Sequence, residues 1–276
     1  QGICVSHGYV CCKSGAKKGN HGCQICFSLN IPVLCVDDID QYFTKDSLSI
    51  IDCSHRHIIV KFSHKHCVVY FVSFHAPYLG CKEDPVKWWK FLKNRLKIHC
   101  GQESHCLYMY DGNSQFYKCN DIPHGSIGIL TSAPPANFLA MVECMKEQNA
   151  AFFTTFYKMY DPKSHRDHST FCPTIGNKRV RIDYVNNIPN IHIVPNSVLI
   201  DESFVDVSCE SADHRPLKCT VCFQRSAGSK PNRRRVVKYD RLAFSDPIKA
   251  GHFKNIMQDM PVVKVSMENS SHCDEI

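Results

Sequence analysis

Apolar residues come in short bursts separated by polar turns along most of the chain. His57-Ile58-Ile59-Val60-Lys61-Phe62 and Cys67 to Ser73 are two β-rich runs. The polar Ser63-His64-Lys65-His66 between them predicts a hairpin with a four-residue loop. Asp84-Pro85 then opens a helix, with Asp as N-cap and Pro in the first turn. Trp88, Phe91, Leu92 and Leu96 recur at helical spacing and predict its apolar face. Cys106 to Tyr110 reads as a short strand ending at Asp111, and Phe138 to Met145, after Pro134-Pro135, as a second helix. Phe152 to Phe156, Val180 to Val185, Ile191 to Val194 and Leu217 to Phe223 read as further strands. Strands throughout, with helices at two places, predict an α+β fold of stacked sheets with helices outside.

From Arg225 the character changes. Ser226 to Asn232 is rich in Gly, Ser and Pro, and Arg233-Arg234-Arg235 follows. This divides the chain into a domain over residues 1–224 and a basic linker with a helical connector over 225–276. Within the connector, Ser245-Asp246-Pro247 starts a helix with Ile248, Phe253, Ile256 and Met257 on one side. There are no internal repeats. The length, 276 residues, suits one large core plus a tail. A net charge of +7 suits a polyanionic partner without demanding one. The longest apolar run, Cys67 to Leu79, carries His75 and Pro77 and is too short to span a membrane. No basic region followed by an apolar stretch marks a signal peptide, and Gln1 in place of Met suggests a fragment or processed chain. The 18 cysteines are many for this length; without an export signal they are expected to be reduced thiols.

Four stretches carry chemistry, each reading as the C-terminal end of an apolar run: His75-Ala76-Pro77-Tyr78, Asp111-Gly112-Asn113, Arg181-Ile182-Asp183-Tyr184 and Ser211-Ala212-Asp213-His214-Arg215-Pro216. Hydrolysis of a phosphodiester needs charge neutralisation on the phosphate, an oriented water, and donors aimed at the developing charge. Asp213 offers a hard oxygen ligand for Mg²⁺ or Mn²⁺. His214 can donate to the phosphate or take a proton, and Asp183 can fix its tautomer as a carboxylate does in other hydrolytic sites. Asp111 can hold the attacking water, with Asn113 a neutral donor on the same side if the segment is extended. Asp-Gly-Asn is also a good turn sequence, and a lone His is more often a surface residue than a catalytic one. The combination outweighs both bland readings.

In this order the stretches resemble the endonuclease/exonuclease/phosphatase superfamily, the DNase I-like fold, and most narrowly the endonuclease domain of a non-LTR retrotransposon polyprotein. The resemblance covers roughly residues 8 to 224. It implies a four-layer α/β sandwich of two packed, mainly antiparallel sheets flanked by helices, here lacking its first strands. It implies His214 as the catalytic His, Asp213 as its metal-side neighbour, and Asp183 as the Asp that pairs with the His. It further implies Asp111 and Asn113 as the water-positioning and phosphate-binding pair, and His75 and Tyr78 as phosphate contacts. Lys238-Tyr239-Asp240-Arg241 and the helix after it are similar to the connector that leads to a reverse transcriptase.

The expected function, in the intact parent, is DNA nicking with Mg²⁺ or Mn²⁺ and no small-molecule cofactor, by a monomeric domain of a larger intracellular, nuclear polyprotein with no membrane partner. The chain as given is expected to show weak or no activity, because losing a carboxylate ligand weakens metal binding. Arg233, Arg234 and Arg235 are candidate contacts to the nucleic-acid backbone, although such runs are most often plain solvated charge. The alternatives are a catalytically inactive nucleic-acid-binding remnant, and a phosphatase or RNA deadenylase of the same fold. Three departures from the family bear on these expectations. Its metal-binding Glu and the Asn of the preceding strand have no counterpart, and Gln1 falls just after that Glu. Tyr110 stands where the family usually has Gly, which is expected to crowd the site. Cysteines occupy unexpected places, such as Cys26 in place of an aromatic, as in a degraded copy of a mobile element. Cys23-x-x-Cys26 and Cys219-x-x-Cys222 do not read as zinc sites, because residues three apart on a strand face opposite sides. His55-Arg56-His57 and His64-Lys65-His66 read as solvated turns.

Overall fold

The computed structural model describes residues 2–16, 22–36, 39–65, 67–101, 105–156, 159–160, 168–172, 179–187, 191–200 and 214–223. In chain order the elements are β1 (Gly2–Ser6), β2 (Tyr9–Lys13), β3 (Gln24–Ser28), β4 (Pro32–Val36), β5 (Ile39–Tyr42), β6 (Leu48–Ser54), β7 (His57–His64) and β8 (Cys67–His75). Then come α1 (Pro85–His99), β9 (His105–Asp111), β10 (Phe116–Tyr117), β11 (Ile129–Leu130) and α2 (Ala136–Glu147). β12 (Asp183–Asn187), β13 (Ile191–Ile193), β14 (Leu199–Ile200), β15 (Leu217–Lys218) and β16 (Val221–Phe223) follow.

The central sheet has the order β12-β9-β8-β7-β6. Only the β8–β9 pair is parallel; the others are antiparallel. That parallel pair needs a crossover, and α1 supplies it. Asp84 caps α1 by accepting from the Val86 and Lys87 N–H groups, with Pro85 in the first turn. Trp88, Trp89, Leu92 and Leu96 are its buried stripe, but Phe91, expected among them, is 47% exposed. At about 100° per residue, Phe91 sits roughly a third of a turn from the middle of that stripe. It packs its edge against His57 instead.

Strand alternation gives the sheet two apolar faces. One packs on α1 and α2, where Phe74, Tyr108 and Tyr110 meet Trp88, Trp89, Phe138 and Met141. The other packs on the β1–β2–β3 sheet, where Ile58, Val60, Phe71 and Leu107 meet Val10, Ile25 and Phe27, with Ile191 and Val198 beside them. The fold is an α+β sandwich. Both α-helices of the described residues, α1 and α2, cover the same face of the central sheet.

Several local expectations shift. The β7–β8 pairing runs through His64↔Cys67, so the hairpin loop is two residues rather than four. Phe152 to Phe156 forms a 3₁₀ turn over Phe153–Thr155, not a strand. Its Thr155 hydroxyl donates to Phe152 O at 2.6 Å, an alternative to ladder pairing. The run from Leu217 to Phe223 divides into β15 and β16, which pair with different partners, β14 and β13. His55-Arg56-His57 is not a solvated turn, since Arg56 is 4% and His57 1% exposed. His57 Nε2 lies 2.9 Å from Asp52 Oδ2, and its Nδ1 lies 2.8 Å from Ser54 Oγ. Arg95 of α1 holds the same carboxylate by two bonds of 2.8 and 2.6 Å. Burial alone would raise the Asp52 pKa, but the Arg95 and His57 hydrogen bonds overcome it and hold it at about 2. The domain boundary expected after residue 224, the connector and its helix lie outside the described residues.

Candidate active site

Register builds this site. His75 pairs with Asp111 across the parallel β8–β9 ladder, and Asp111 pairs with Asp183 across the antiparallel β9–β12 ladder. Paired positions present side chains to the same face, so the three form one row across three adjacent strands. His75 and Asp111 close their strands, as expected. Asp183 instead opens β12, because that strand runs the other way. His75 Nε2 lies 3.5 Å from Asp111 Oδ2.

His214 reaches the row from outside the sheet. Its backbone bridges Phe171, which also bridges Val180 just before β12. The Phe171 ring packs edge-on to the imidazole, with centroids 5.0 Å apart. His214 Nδ1 is 3.0 Å from Asp183 Oδ2, and Nε2 is 4.0 Å from Asp111 Oδ2. The carboxylate can only accept, so Nδ1 carries the hydrogen and Nε2 turns toward Asp111. The His214 side chain is 40% exposed, against 16% for Asp111 and 23% for Asp183. The imidazole therefore faces solvent over a sheltered carboxylate pair.

Asp111, Asp183 and His214 each present one ligand atom within 4.8 Å of the others. Two carboxylates and an imidazole at this spacing could hold a divalent metal ion. Beside Asp111 and Asp183 opens a groove of about 640 Å³, walled by Leu107, Met109, Val185, Leu217 and Val221.

Comparison with solved structures finds similar chains at low sequence identity. The endonuclease domain of TRAS1, a telomere-specific non-LTR retrotransposon, superposes with a TM-score of 0.49 at 14% identity, covering 80% of this chain and 83% of that one. An AP endonuclease from Archaeoglobus fulgidus gives 0.48 at 17% identity, covering 77% and 79%. The 3′ phosphatase NExo from Neisseria, bound to a product DNA hairpin, gives 0.41 at 12% identity, covering 79% and 80%. No family model and no curated protein matches the sequence.

Asn113 joins the site in a different geometry from the extended one expected. Its φ is +45°, in the left-handed region that Asn tolerates. Asp111 Oδ1 accepts from the Asn113 N–H at 2.8 Å, which closes an Asx turn. The Asn113 amide donates to Ala76 O at 2.7 Å. It is thus spent on holding the β8 end against the β9 end. Gly112 between them is closely packed: a Cβ there would sit 3.1 Å from Met141 Sδ and 3.3 Å from Tyr110 Cε2, so these side chains would have to give by a few tenths of an ångström. Tyr78 is 54% exposed in the turn beyond His75. Asp213, Arg233, Arg234 and Arg235 lie outside the described residues.

Tyr110 does not crowd the site. Alternation turns it to the opposite face from Asp111. There it stacks on Phe74 at 4.2 Å, and its hydroxyl accepts from Asn186 Nδ2 at 3.0 Å.

Three supporting residues escaped the sequence reading. Thr170, fully buried, accepts from the Ile182 and Asp183 N–H groups through Oγ1, at 3.2 and 3.1 Å. Its carbonyl accepts from the Arg215 N–H at 2.7 Å. One residue therefore ties the start of β12 to the residue after His214. Arg56 brackets His75: its carbonyl accepts from the His75 N–H at 2.9 Å, and its guanidinium donates to His75 O at 3.3 Å. Asn137 of α2 links Trp89 Nε1 to Asn113 O. Each acts through contacts across 12 or more residues, and no local pattern marks them.

Proposed function

We propose that this chain is a divalent-metal-dependent phosphodiester hydrolase domain, and that in its parent polyprotein, a non-LTR retrotransposon product, it nicks DNA. The carrying observation is the Asp183 Oδ2–His214 Nδ1 contact of 3.0 Å standing over Asp111. In this reading Asp183 holds the tautomer and direction of His214, the role a buried carboxylate plays in other hydrolytic sites. Asp111 and His214 orient a water between them, and Asp111 takes its proton. The water oxygen bonds to phosphorus, the bond to the leaving oxygen breaks, and that oxygen leaves with a proton from solvent. His75 donates to the phosphate oxygens where charge develops.

Asp111 and Asp183 would hold the cation, with Asp213 a further carboxylate next to His214 in sequence. Mg²⁺ or Mn²⁺ supplies charge neutralisation at the phosphate. The partner is DNA, met by a monomeric domain of a nuclear polyprotein, with the Arg233 to Arg235 run contacting the backbone.

The test is nicking of supercoiled plasmid by residues 1–276 with Mg²⁺, with EDTA, and by His214→Ala. Nicking that needs the cation and disappears in the variant is the expected result. Salt-dependent DNA binding with no cleavage points instead to the inactive remnant. Phosphate release from monoesters without nicking points to the phosphatase alternative.

A further inference from the structure

Cysteines line up on the outer face of the β1–β2–β3 sheet. Register pairs Cys4 with Cys11 and Cys11 with Cys26. The neighbours Val10, Cys12, Ile25 and Phe27 point the other way, into the core. Cys4 and Cys26 are exposed, and Cys11 between them is 8% exposed. The Cys26 thiol points at Cys11 Sγ across 3.1 Å. Directly opposed residues in antiparallel strands have Cα atoms about 4.5–5.5 Å apart, within the range of about 4.4–6.8 Å that a disulfide spans. The two sulfurs need to close by roughly 1 Å to reach bonding distance, and no strand has to slip. We propose that Cys11 and Cys26 form a reversible redox site, a cross-strand disulfide made by exchange with a low-molecular-weight disulfide such as oxidised glutathione.

The order of attack follows from access and charge. Cys11 is pushed up to about 11, chiefly by its hydrogen bond with Cys26 and then by burial. Cys26 is the exposed member of the pair, so it reacts first. Its thiolate attacks one glutathione sulfur, which expels one glutathione and leaves a mixed disulfide on Cys26. Cys11 Sγ then attacks Cys26 Sγ, forming the Cys11–Cys26 bond and expelling the second glutathione. Two protein thiols lose two electrons and two protons, and the glutathione disulfide gains them. Lys13, two residues along the same face from Cys11, favours the attacking thiolate. Cys4 is the alternative partner for Cys11 when Cys26 is absent.

Cys100 and Cys106 also interact with one another, but they are 2% and 1% exposed in the core beneath α1. A reagent that needs solvent access does not reach them, which makes them an internal control.

The experiment equilibrates the full chain, folded and reduced, in defined mixtures of reduced and oxidised glutathione. The sample is quenched with an alkylating agent in denaturing urea, so that buried thiols are also capped, then digested and read by tandem mass spectrometry. A predominant Cys11–Cys26 linkage, two mass units lighter than the paired thiols, is expected, with Cys100 and Cys106 alkylated. Dithiothreitol restores both thiols, and the thermal midpoint of the oxidised form is higher because the bridge closes a loop in the unfolded chain. In Cys26→Ser the linkage moves to Cys4–Cys11. Two free thiols at a ratio where exposed Cys222 already carries glutathione would overturn the proposal. So would a mixed disulfide that persists on Cys26, or a spread of linkages no different from the urea-unfolded chain.

Discussion

Asp183 and His214 are 31 residues apart in sequence, yet their Oδ2 and Nδ1 atoms meet at 3.0 Å. The acceptor is a carboxylate, so the contact sets the His214 tautomer. In Asp183→Asn the amide presents either an oxygen or an NH₂ group and no longer enforces that choice. Nicking is expected to fall by about 10²–10⁴-fold, the range typical of losing a positioned acid–base group. Substrate affinity should change far less, and single-turnover rates beside plasmid-binding titrations separate the two.

Thr170 supports that contact from below. Thr170→Val keeps the shape and removes the acceptor for two buried N–H groups. A loss of about 1–3 kcal/mol is expected from orphaned donors, read as a lower urea midpoint at unchanged slope. Thr170→Ser keeps Oγ and should recover most of both stability and nicking. An undamaged Thr170→Val beside a damaged Thr170→Ser would show that the methyl, not the hydroxyl, matters.

Tyr110 is a core residue on the reverse side of the Asp111 strand. Restoring Gly here, as the resemblance suggests, is expected to cost about 3–5 kcal/mol through the cavity left between Phe74 and Tyr184. It should not raise nicking. A Tyr110→Gly protein that is as stable as the parent and cuts faster would overturn this placement.

His57 makes stability depend on pH. Burial lowers its pKa below the ordinary value, and the Asp52 carboxylate opposes this only in part. As pH falls below about 6.5 the unfolded chain binds a proton that folded His57 resists. Stability from this group is therefore complete above that pH and drains away below it. His57→Gln should flatten the slope of unfolding free energy against pH below about 6.5. Asp52, held at about 2, adds a second loss only at far lower pH, where its carboxylate is protonated.

The departures from expectation share one origin. Phe91 fell outside the α1 stripe because spacing alone does not say where the buried arc is centred. The His57 segment looked like a polar turn, yet Asp52, Ser54 and Arg95 satisfy it, and two of these are its own hairpin neighbours. Phe152 to Phe156 has strand composition but gives its Thr155 hydroxyl to a local carbonyl. In each case a polar partner or a packing neighbour, not the residue type, chose the outcome.

By itself the sequence determined most strand and helix positions and the α+β class, and it singled out the residues proposed to carry chemistry. These depend on alternation, helical period and capping, which are local properties of the chain. The tertiary structure decided that His75, Asp111 and Asp183 share one row, that Tyr110 turns away from it, and that Thr170 couples β12 to His214. Those facts rest on strand register and on hydrogen bonds between segments 12 to 76 residues apart. A slip of one residue in either ladder would send Asp111 into the core and Tyr110 into the site.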